Sequence, residues 1–381
     1  MPVELSGAAP APRTRVLIVD DSAVMRTLLR SVVSTDPALE VAGTASDGLS
    51  ALNALSITRP DLILLDVEMP VMDGLATLRR MRERAPKLPI IMCSALTQRG
   101  AQVTIEALAS GASDYVAKPA GQASREAATQ ALAAELIPKI RALTQRRAVP
   151  IASRRFSLFP QPAPPRPAPR SAASAAPAAV VLGVSTGGPA ALDLLLPALP
   201  ASFPLPLLIV QHMPELFTRQ LAERLNGRCA LRVQEAEEGM AARGGNIYIA
   251  RGNWHMKLLR PAVRGLAPTL HLNQAPPENH CRPAVDVLFR SAAEVYGGSA
   301  LAVMLTGMGH DGLEGTRTLH SLGATVLAQD EATSAVWGMP GSVVHAGLAD
   351  QVLPLRAIAG EILRLCARTH SEAMQLRESA V

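Results

Sequence analysis

A serine in a glycine-rich turn is the first residue of the sequence with the potential for chemistry. The segment Val180–Pro189, VVLGVSTGGP, is a short apolar run that breaks at Gly183 and places Ser185 and Thr186 before two glycines. A buried strand that leads through small residues into a helix presents a serine hydroxyl at the carboxyl edge of a parallel sheet. Such a serine is a nucleophile if a base is near. Taken alone, the segment favours a helix cap or an anion-binding turn.

A histidine that follows another predicted strand is the candidate base. His212 comes directly after the strand Pro206–Gln211, in LLIVQHMP, and leaves the sheet at an edge as Ser185 does. On its own, His212 fits a structural histidine equally well. The remaining histidines lie in polar or helical contexts that favour a structural role: His255, His271, His280, His310, His320, His345 and His370. We therefore take His212 as the base that a nucleophilic serine requires.

Two carboxylates are candidates for orienting that base. Asp286, in RPAVDVLFR, begins an apolar helical run and also fits a charge in the first turn of a helix. Asp311, in LAVMLTGMGHDG, follows a predicted strand through a glycine-rich loop, which brings an acid and backbone N–H groups to the same edge. We favour Asp311, in a chain order of Ser, His, Asp that differs from the order in α/β-hydrolases. His212 must be neutral to act as the base. If its pKa is ordinary, we expect activity to rise through about pH 6–7.

A second group of reactive side chains lies in the N-terminal half. Asp20 and Asp21 end the first predicted strand, and Asp66 ends the third, in LILLDVEMPVMDG. Ser94 ends the fourth strand, and Lys118 follows the fifth. Each residue alone fits a helix cap or a turn. Together, three carboxylates suited to Mg²⁺, a hydroxyl and an ammonium predict a phosphoryl-transfer site in which Asp66 attacks.

Apolar strands alternate with helix-compatible segments in both halves of the chain. The N-terminal half has predicted strands at Arg15–Asp20, Glu40–Thr44, Asp61–Asp66, Pro89–Ser94 and Asp114–Ala117. The C-terminal half has predicted strands at Ala179–Val184, Pro206–Gln211, Asn246–Ala250, Leu301–Thr306, Ala324–Ala328 and Gln351–Leu353. This alternation predicts an α/β protein with an N-terminal (βα)5 doubly wound parallel sheet and a C-terminal α/β domain with a mainly parallel sheet.

Length and composition predict two domains. A chain of 381 residues exceeds what one core usually supports, and 48% hydrophobic residues suffice for two. The aromatic share of 3% argues against a stacking platform for single-stranded nucleic acid.

Four cysteines without paired or metal-binding spacing fit free thiols in a reducing cytosol: Cys93, Cys229, Cys281 and Cys366. Without an apolar leader or a long apolar run, we expect a cytoplasmic protein with no membrane insertion.

A proline-rich connector separates the two halves. Residues 144–178 contain eight prolines, nine alanines, six arginines and no Asp or Glu. This composition predicts a solvated, semi-extended linker. The formal net charge of +5 is therefore concentrated in the connector, and the folded parts are nearly neutral. Because no helix-turn-helix or zinc-finger pattern adjoins it, we expect no nucleic-acid partner.

The acidic motif and its strand-end partners resemble the receiver domain of two-component response regulators, over about residues 13–144. The resemblance implies a flavodoxin-like fold, Mg²⁺ between the acidic side chains, and phosphorylation of Asp66 by a histidine kinase. The site residues that it implies are Asp20, Asp21 and Asp66 for the metal, and Ser94, Tyr115 and Lys118 for the switch.

The C-terminal half resembles the catalytic domain of chemotaxis protein-glutamate methylesterases, which carry such a receiver in front. The similarity extends through GVSTGGP, QHMP, RPAVDVLF, LTGMGHDG and AQDEATSAVWGMP, in that order. The resemblance implies Ser185 as nucleophile, His212 as base and Asp311 as the residue that orients it. It also implies that Thr186 and Met308 line the site, and that the ester chemistry needs no cofactor.

The methylesterase resemblance also implies substrates. It predicts hydrolysis of glutamate methyl esters on methyl-accepting chemotaxis receptors, with release of methanol, and deamidation of receptor glutamines. Two departures from the family pattern are visible: His310 stands where Asn is more frequent, and the linker is longer and richer in proline. The linker puts the usual domain packing in doubt.

Together the resemblances divide the chain into a receiver domain at residues 13–143, a linker at 144–178 and a catalytic domain at 179–370, with flexible tails at 1–12 and 371–381. We expect the unphosphorylated receiver to mask the catalytic edge. The competing hypothesis is a receiver-controlled output module without enzymatic activity, either a nucleotide sensor or a DNA-binding regulator. The glycine-rich turn has neither the P-loop nor the dinucleotide-binding pattern that a nucleotide sensor would need.

Overall fold

The computed structural model describes residues 12–119, 124–144, 176–263 and 265–378, which form two compact units divided within the connector. Residues 145–175, most of the predicted linker, lie outside the described residues, as do the predicted tail up to residue 11 and residues 379–381. Within the described part, no helix is long and apolar enough to cross a membrane.

The first unit is a parallel sheet of five strands with helices between them. Its strands are β1 (Thr14–Val19), β2 (Leu39–Ala45), β3 (Leu62–Asp66), β4 (Ile90–Ser94) and β5 (Asp114–Ala117). Its helices are α1 (Ala23–Ser34), α2 (Gly48–Thr58), α3 (Gly74–Arg84), α4 (Gln98–Ala109) and α5 (Arg125–Thr144). The strand order β2-β1-β3-β4-β5 is that of the predicted doubly wound sheet, with strand ends within one residue of those expected.

The central strands of this sheet are buried on both faces, because helices cover both sides. Every residue of β3 and β4 is buried, as the continuous apolar runs predict. Polar residues begin the helices that follow: Ser22 caps α1 by accepting from the Met25 N–H, and Asp73 caps α3 by accepting from the Ala76 N–H. After the first strand, Ser22 and not Asp21 therefore caps the helix.

The second unit contains a parallel sheet of seven strands and a separate hairpin. Its strands are β6 (Ala179–Val184), β7 (Leu207–Gln211), β8 (Arg232–Glu235), β9 (Asn246–Ile249), β10 (His255–Leu259), β11 (Thr269–Asn273), β12 (Ala300–Met304), β13 (Thr325–Gln329) and β14 (Gln351–Leu353). Its helices are α6 (Gly188–Leu195), α7 (Glu215–Asn226), α8 (Val285–Tyr296), α9 (Leu313–Ser321), α10 (Met339–His345) and α11 (Leu355–Glu378), with short 3-10 turns at Leu196–Ala198 and Gly297–Ser299.

The large sheet has the order β14-β13-β12-β6-β7-β9-β8, and each neighbouring pair is parallel. The chain builds outward from β6 in one direction and then returns to its other side with β12. This reversal is a topological switch point, where open α/β sheets place their ligands at the carboxyl ends of the strands. The fold therefore directs the residues that follow β6, β7 and β12 toward one site.

Three strands were not expected from the sequence. The edge strand β8, RVQE, has one fully buried residue, so no apolar run marks it. In the antiparallel hairpin, β11 alternates buried and half-buried residues and β10 alternates from Met256 onward, and helix α8 packs against β10. Helix α11 extends to Glu378 and so includes residues 371–378 of the segment expected to be a tail.

Candidate active site and receiver site

Ser185 lies in the turn between β6 and α6, at the switch point of the large sheet. Its N–H donates to the Thr306 carbonyl at 3.0 Å, and its carbonyl accepts from the Gly188 N–H at 2.7 Å. The Gln211 side-chain amide also donates to that carbonyl, at 3.1 Å. These bonds fix the backbone of the turn from both neighbouring strands, while the Ser185 side chain stays half-buried.

Glycines permit the close packing around this serine. Gly187 has a φ of +79°, a conformation that side chains with a Cβ rarely adopt. Gly307, in the loop after β12, lies so close that a Cβ there would be 2.9 Å from the Ser185 Cβ. The glycine pattern that first suggested an anion-binding turn therefore also brings a second loop against Ser185.

His212 occupies the corresponding position on the next strand. The register pairs Val184 with Gln211, and the His212 N–H donates to the Val184 carbonyl at 3.2 Å. Ser185 and His212 therefore each directly follow the last residue of two adjacent parallel strands, whose backbones lie about 4.8 Å apart. Among the described residues, the Ser185 hydroxyl makes no hydrogen bond to His212 or to another group.

Asp311 holds the imidazole of His212. The distance between His212 Nε2 and Asp311 Oδ2 is 2.8 Å, and Cys281 Sγ lies 3.6 Å from Nδ1 on the other side of the ring. Burial disfavours the charged imidazolium, but the bond to Asp311 and the contact with Cys281 outweigh it and raise the pKa of His212 to about 9. The ordinary pKa assumed from the sequence is thus replaced by a higher one.

Asp311 is buried and accepts several hydrogen bonds besides that of His212. The backbone N–H groups of Val285 and Asp286 donate to its two oxygens at 2.6 and 3.2 Å, and the Asn279 side chain donates at 3.0 Å. Burial alone would raise the pKa of Asp311, but these donors favour the anion and hold the pKa below its ordinary value. The start of α8 therefore stabilises a permanent carboxylate beside the histidine.

The other candidate carboxylate, Asp286, is connected to His212 through Asn279 and Asp311. It accepts from the Asn279 side chain at 2.9 Å and from the Gly315 N–H at 2.6 Å. Burial raises the pKa of Asp286 above its ordinary value. Asp286 thus links α8 to α9, and the contact with the base belongs to Asp311.

Two residues beside the base were missed in the sequence. Asn279 joins both carboxylates, and Cys281 contacts the imidazole. Both lie in the segment just before the RPAVDVLF motif, where Asn279 and His280 have left-handed φ angles of 52° and 63°. Their position next to a motif was the only signal of their role.

The remaining residues expected near Ser185 differ in exposure. Thr186 is buried, and its carbonyl accepts from the Thr306 hydroxyl at 2.9 Å. Met308 is half-buried in the loop that contains Gly307. His310, the departure noted in the sequence, is exposed.

The acidic group of the first unit is assembled as the strand ends predict. Lys118 Nζ lies 2.8 Å from Asp20 Oδ2 and 2.7 Å from Asp66 Oδ1. Burial raises the pKa of Asp66 to about 6 against the opposing effect of Lys118. Burial acts in the other direction on the pKa of Lys118, but its two carboxylate partners outweigh it and raise that pKa.

The donor set at this edge fits a hard divalent cation. One oxygen from each of Asp20, Asp21 and Asp66 lies within 4.8 Å of the others, and Asp21 is exposed. Asp21, Asp66, Ser94 and Lys118 line a cavity of about 290 Å³. Carboxylate oxygens with room for water are what Mg²⁺ prefers.

The other two switch candidates, Ser94 and Tyr115, are both buried but have different partners. Ser94 is fully buried, and its hydroxyl donates to the Ala95 carbonyl at 3.2 Å. Tyr115 is buried in β5, and Lys139 Nζ lies 5.0 Å from the centre of its ring and donates to its carbonyl at 2.6 Å. The Tyr115 ring is thus packed inward, against α5, in this structure.

Comparisons with known proteins match each half of the chain to a different family model. Residues 180–362 match the model of the CheB methylesterase family, and residues 16–130 match the response regulator receiver domain. The chain is 47% identical to a protein-glutamate methylesterase/protein-glutamine glutaminase of Trichodesmium erythraeum, over 93% of this chain and 99% of that protein. It is 48% identical to a protein of the same name from Nocardioides sp., over 94% of this chain and 96% of that protein.

Proposed function

The chain belongs to the protein-glutamate methylesterase/protein-glutamine glutaminase family, and from that premise we propose that Ser185, His212 and Asp311 carry out its hydrolysis. The family assignment makes the chain a receiver-controlled enzyme, and excludes the hypothesis of a non-enzymatic output module. The observation that carries the site assignment is the His212–Asp311 pair at 2.8 Å, one strand away from Ser185.

The hydrogen bonds of the imidazole determine which nitrogen acts. The Nε2–H group of His212 donates a hydrogen bond to Asp311, so the lone pair of a neutral His212 resides on Nδ1. Nδ1 therefore takes the hydroxyl proton as Ser185 Oγ attacks the side-chain carbonyl of a glutamate methyl ester. Asp311 stays ionised and stabilises the imidazolium that forms.

The tetrahedral intermediate places a negative charge on the former carbonyl oxygen. Backbone N–H groups at the start of α6 and in the glycine-rich loop 307–312 are the donors that we assign to it. The intermediate expels methanol, which receives the proton from Nδ1, and leaves an acyl-enzyme on Ser185. A water molecule then gives a proton to Nδ1 and attacks the acyl carbon, and Nδ1 returns that proton to Ser185 Oγ as the bond to the glutamate side chain breaks.

The same cycle accounts for glutaminase activity. A glutamine side chain has an amide nitrogen in place of the methoxy oxygen, and the protonated His212 supplies the proton that allows ammonia to leave. Both reactions pass through the same acyl-enzyme and yield glutamate. We propose methyl-accepting chemotaxis receptors as the substrates for both.

We assign the control of this hydrolase to Asp66. Asp20, Asp21 and Asp66 would hold Mg²⁺, which neutralises the oxygens of an incoming phosphoryl group. Asp66 attacks phosphorus as the phosphorus–nitrogen bond to the donor histidine breaks, and Lys118, which already bridges Asp20 and Asp66, pairs with the phosphoryl oxygens. A histidine kinase is the phosphodonor that we propose, with residues 13–143 as the receiver domain and 179–370 as the catalytic domain.

A serine-directed phosphonate tests the assignment of the nucleophile. The reagent should modify Ser185 and no peptide from the receiver domain, as read by peptide mass mapping. His212→Gln should slow the labelling, because the hydroxyl loses its base. Labelling of Ser185 at the same rate in wild type and in His212→Gln would contradict the roles assigned here.

A further inference from the structure

The mechanism leaves one reactive group beside the base unused. Cys281 is a free, half-buried cysteine whose Sγ lies 3.6 Å from His212 Nδ1. Nδ1 is the nitrogen that must hold a lone pair for catalysis, because Asp311 occupies Nε2. The thiol therefore contacts the very atom on which the proposed reaction depends.

The group has the composition of a site for a thiophilic metal. His212, Cys281 and Asp311 each offer a ligand atom, and these atoms lie within 4.8 Å of one another. Nitrogen and sulfur donors select Zn²⁺ and similar ions, whereas the all-carboxylate group at Asp66 suits Mg²⁺. These two groups of the described residues should therefore bind different metals.

The hydrogen bonds of Asp311 decide its part in such a site. Its oxygens accept from His212, Asn279 and two backbone N–H groups, so it is already satisfied. A carboxylate that accepts from the far nitrogen of a metal-bound histidine fixes the tautomer and orients the ring. Asp311 accepts from Nε2 and would orient the ring in this way for a metal bound at Nδ1.

We propose that His212 Nδ1 and Cys281 Sγ bind Zn²⁺, with water or Ser185 Oγ in the remaining positions, and that this ion inhibits the enzyme reversibly. Binding uses the Nδ1 lone pair and the thiolate, so a proton on Nδ1 of the imidazolium and the thiol proton both pass to solvent. The inhibition rests on the proposed role of His212 as the base, whereas the metal site itself does not. A metal held by two protein ligands exchanges readily, as a reversible inhibitor must.

Cobalt spectroscopy tests the site without reference to activity. The full chain is freed of metal, saturated with Mg²⁺ to occupy the acidic pocket, and titrated with Co²⁺. We expect a thiolate-to-cobalt charge-transfer band in wild type and in the matched control Cys229→Ser. The band should be lost in Cys281→Ser, in Cys281→Ala and in His212→Gln, and Zn²⁺ should abolish it in wild type.

Inhibition of ester hydrolysis gives the second readout. Each variant is compared with its own metal-free rate, and the Zn²⁺ concentration for half-inhibition should rise at least about tenfold in Cys281→Ser, and not in Cys229→Ser. A charge-transfer band that persists in both Cys281 variants would overturn the site. A band without inhibition would overturn the regulatory part, and a metal-free wild type without hydrolysis would instead contradict the proposed function.

Discussion

Asp311 Oδ2 lies 2.8 Å from Nε2 of His212, and this contact is why we propose Asp311 and not Asp286 as the acid of the site. Both carboxylates are buried at the start of α8, and both bond to the Asn279 side chain. They differ in their remaining partners: Asp311 contacts the base, while Asp286 accepts from the Gly315 N–H. The two positions therefore form a matched pair for mutation.

Replacing Asp311 by Asn should nearly abolish turnover. An amide at this position can present its NH₂ group to Nε2 and favours the wrong tautomer, for which the serine protease template gives a loss of about 10⁴ in kcat, or about 5 kcal/mol of barrier. Asp286→Asn should reduce turnover much less, because Asp286 bonds to the Gly315 N–H of α9 and not to His212. Methanol release by the two variants measures this difference. A larger loss of turnover in Asp286→Asn than in Asp311→Asn would show that Asp311 is not the residue that orients His212.

The pH dependence of hydrolysis should reflect a histidine with a high pKa. Only neutral His212 accepts the serine proton, and its pKa is raised to about 9, so kcat/KM should increase with pH up to about pH 9. Cys281→Ser should move this rise to lower pH, because the thiol contact is one cause of the raised pKa. The profile is measured with a chelator present. A rise centred at pH 6–7, as the sequence alone predicted, would contradict the influence of Asp311.

Replacing Asn279 by Ala should weaken both the fold and the reaction. Its amide donates to Asp286 and Asp311, and its loss removes one donor from each of two buried carboxylates, at a cost of about 1–3 kcal/mol. Denaturant unfolding measures the loss, with Asn246→Ala as a control whose amide bonds to nearby carbonyls at the surface. Equal stability of the two variants would show that the carboxylates do not depend on Asn279.

Replacing Asp66 by Asn should abolish phosphoryl incorporation. An amide is not a nucleophile toward phosphorus and offers a weaker ligand to Mg²⁺. Incorporation is measured on the full chain with a small phosphodonor and Mg²⁺, and removal of the metal by a chelator should have the same effect. Asp73→Asn is the matched control, because an asparagine can still cap α3. Incorporation that survives in Asp66→Asn would place the acceptor elsewhere.

Much of the fold, and which of the proposed site residues lie close together, followed from strand ends in the sequence. Ser185, His212, Asp66 and Lys118 each stand directly after, or at the end of, a short apolar run that forms a parallel strand. In such a sheet the carboxyl ends of the strands lie at one edge, so local position predicts which side chains meet. The family resemblance then selected between alternatives that local patterns left open, such as a cap or a nucleophile at Ser185.

What the sequence did not predict depends on long-range packing. Asn279 and Cys281 meet His212 and Asp311 through a loop whose left-handed backbone angles are set by its surroundings. The pKa of His212 likewise follows from burial and from contacts across the fold. The hairpin β10–β11 was missed because its one-sided burial gives a weak apolar pattern in a segment with His255 and Lys257.

The most direct test of the central claim is methanol release from membranes that carry methylated chemotaxis receptors. The full-length chain, supplied with Mg²⁺ and a small phosphodonor, should release methanol, and Ser185→Ala should release none. Ser321→Ala, which alters an exposed serine on α9, should retain the wild-type rate. Methanol release by Ser185→Ala at the wild-type rate would contradict the assignment of Ser185 as the nucleophile.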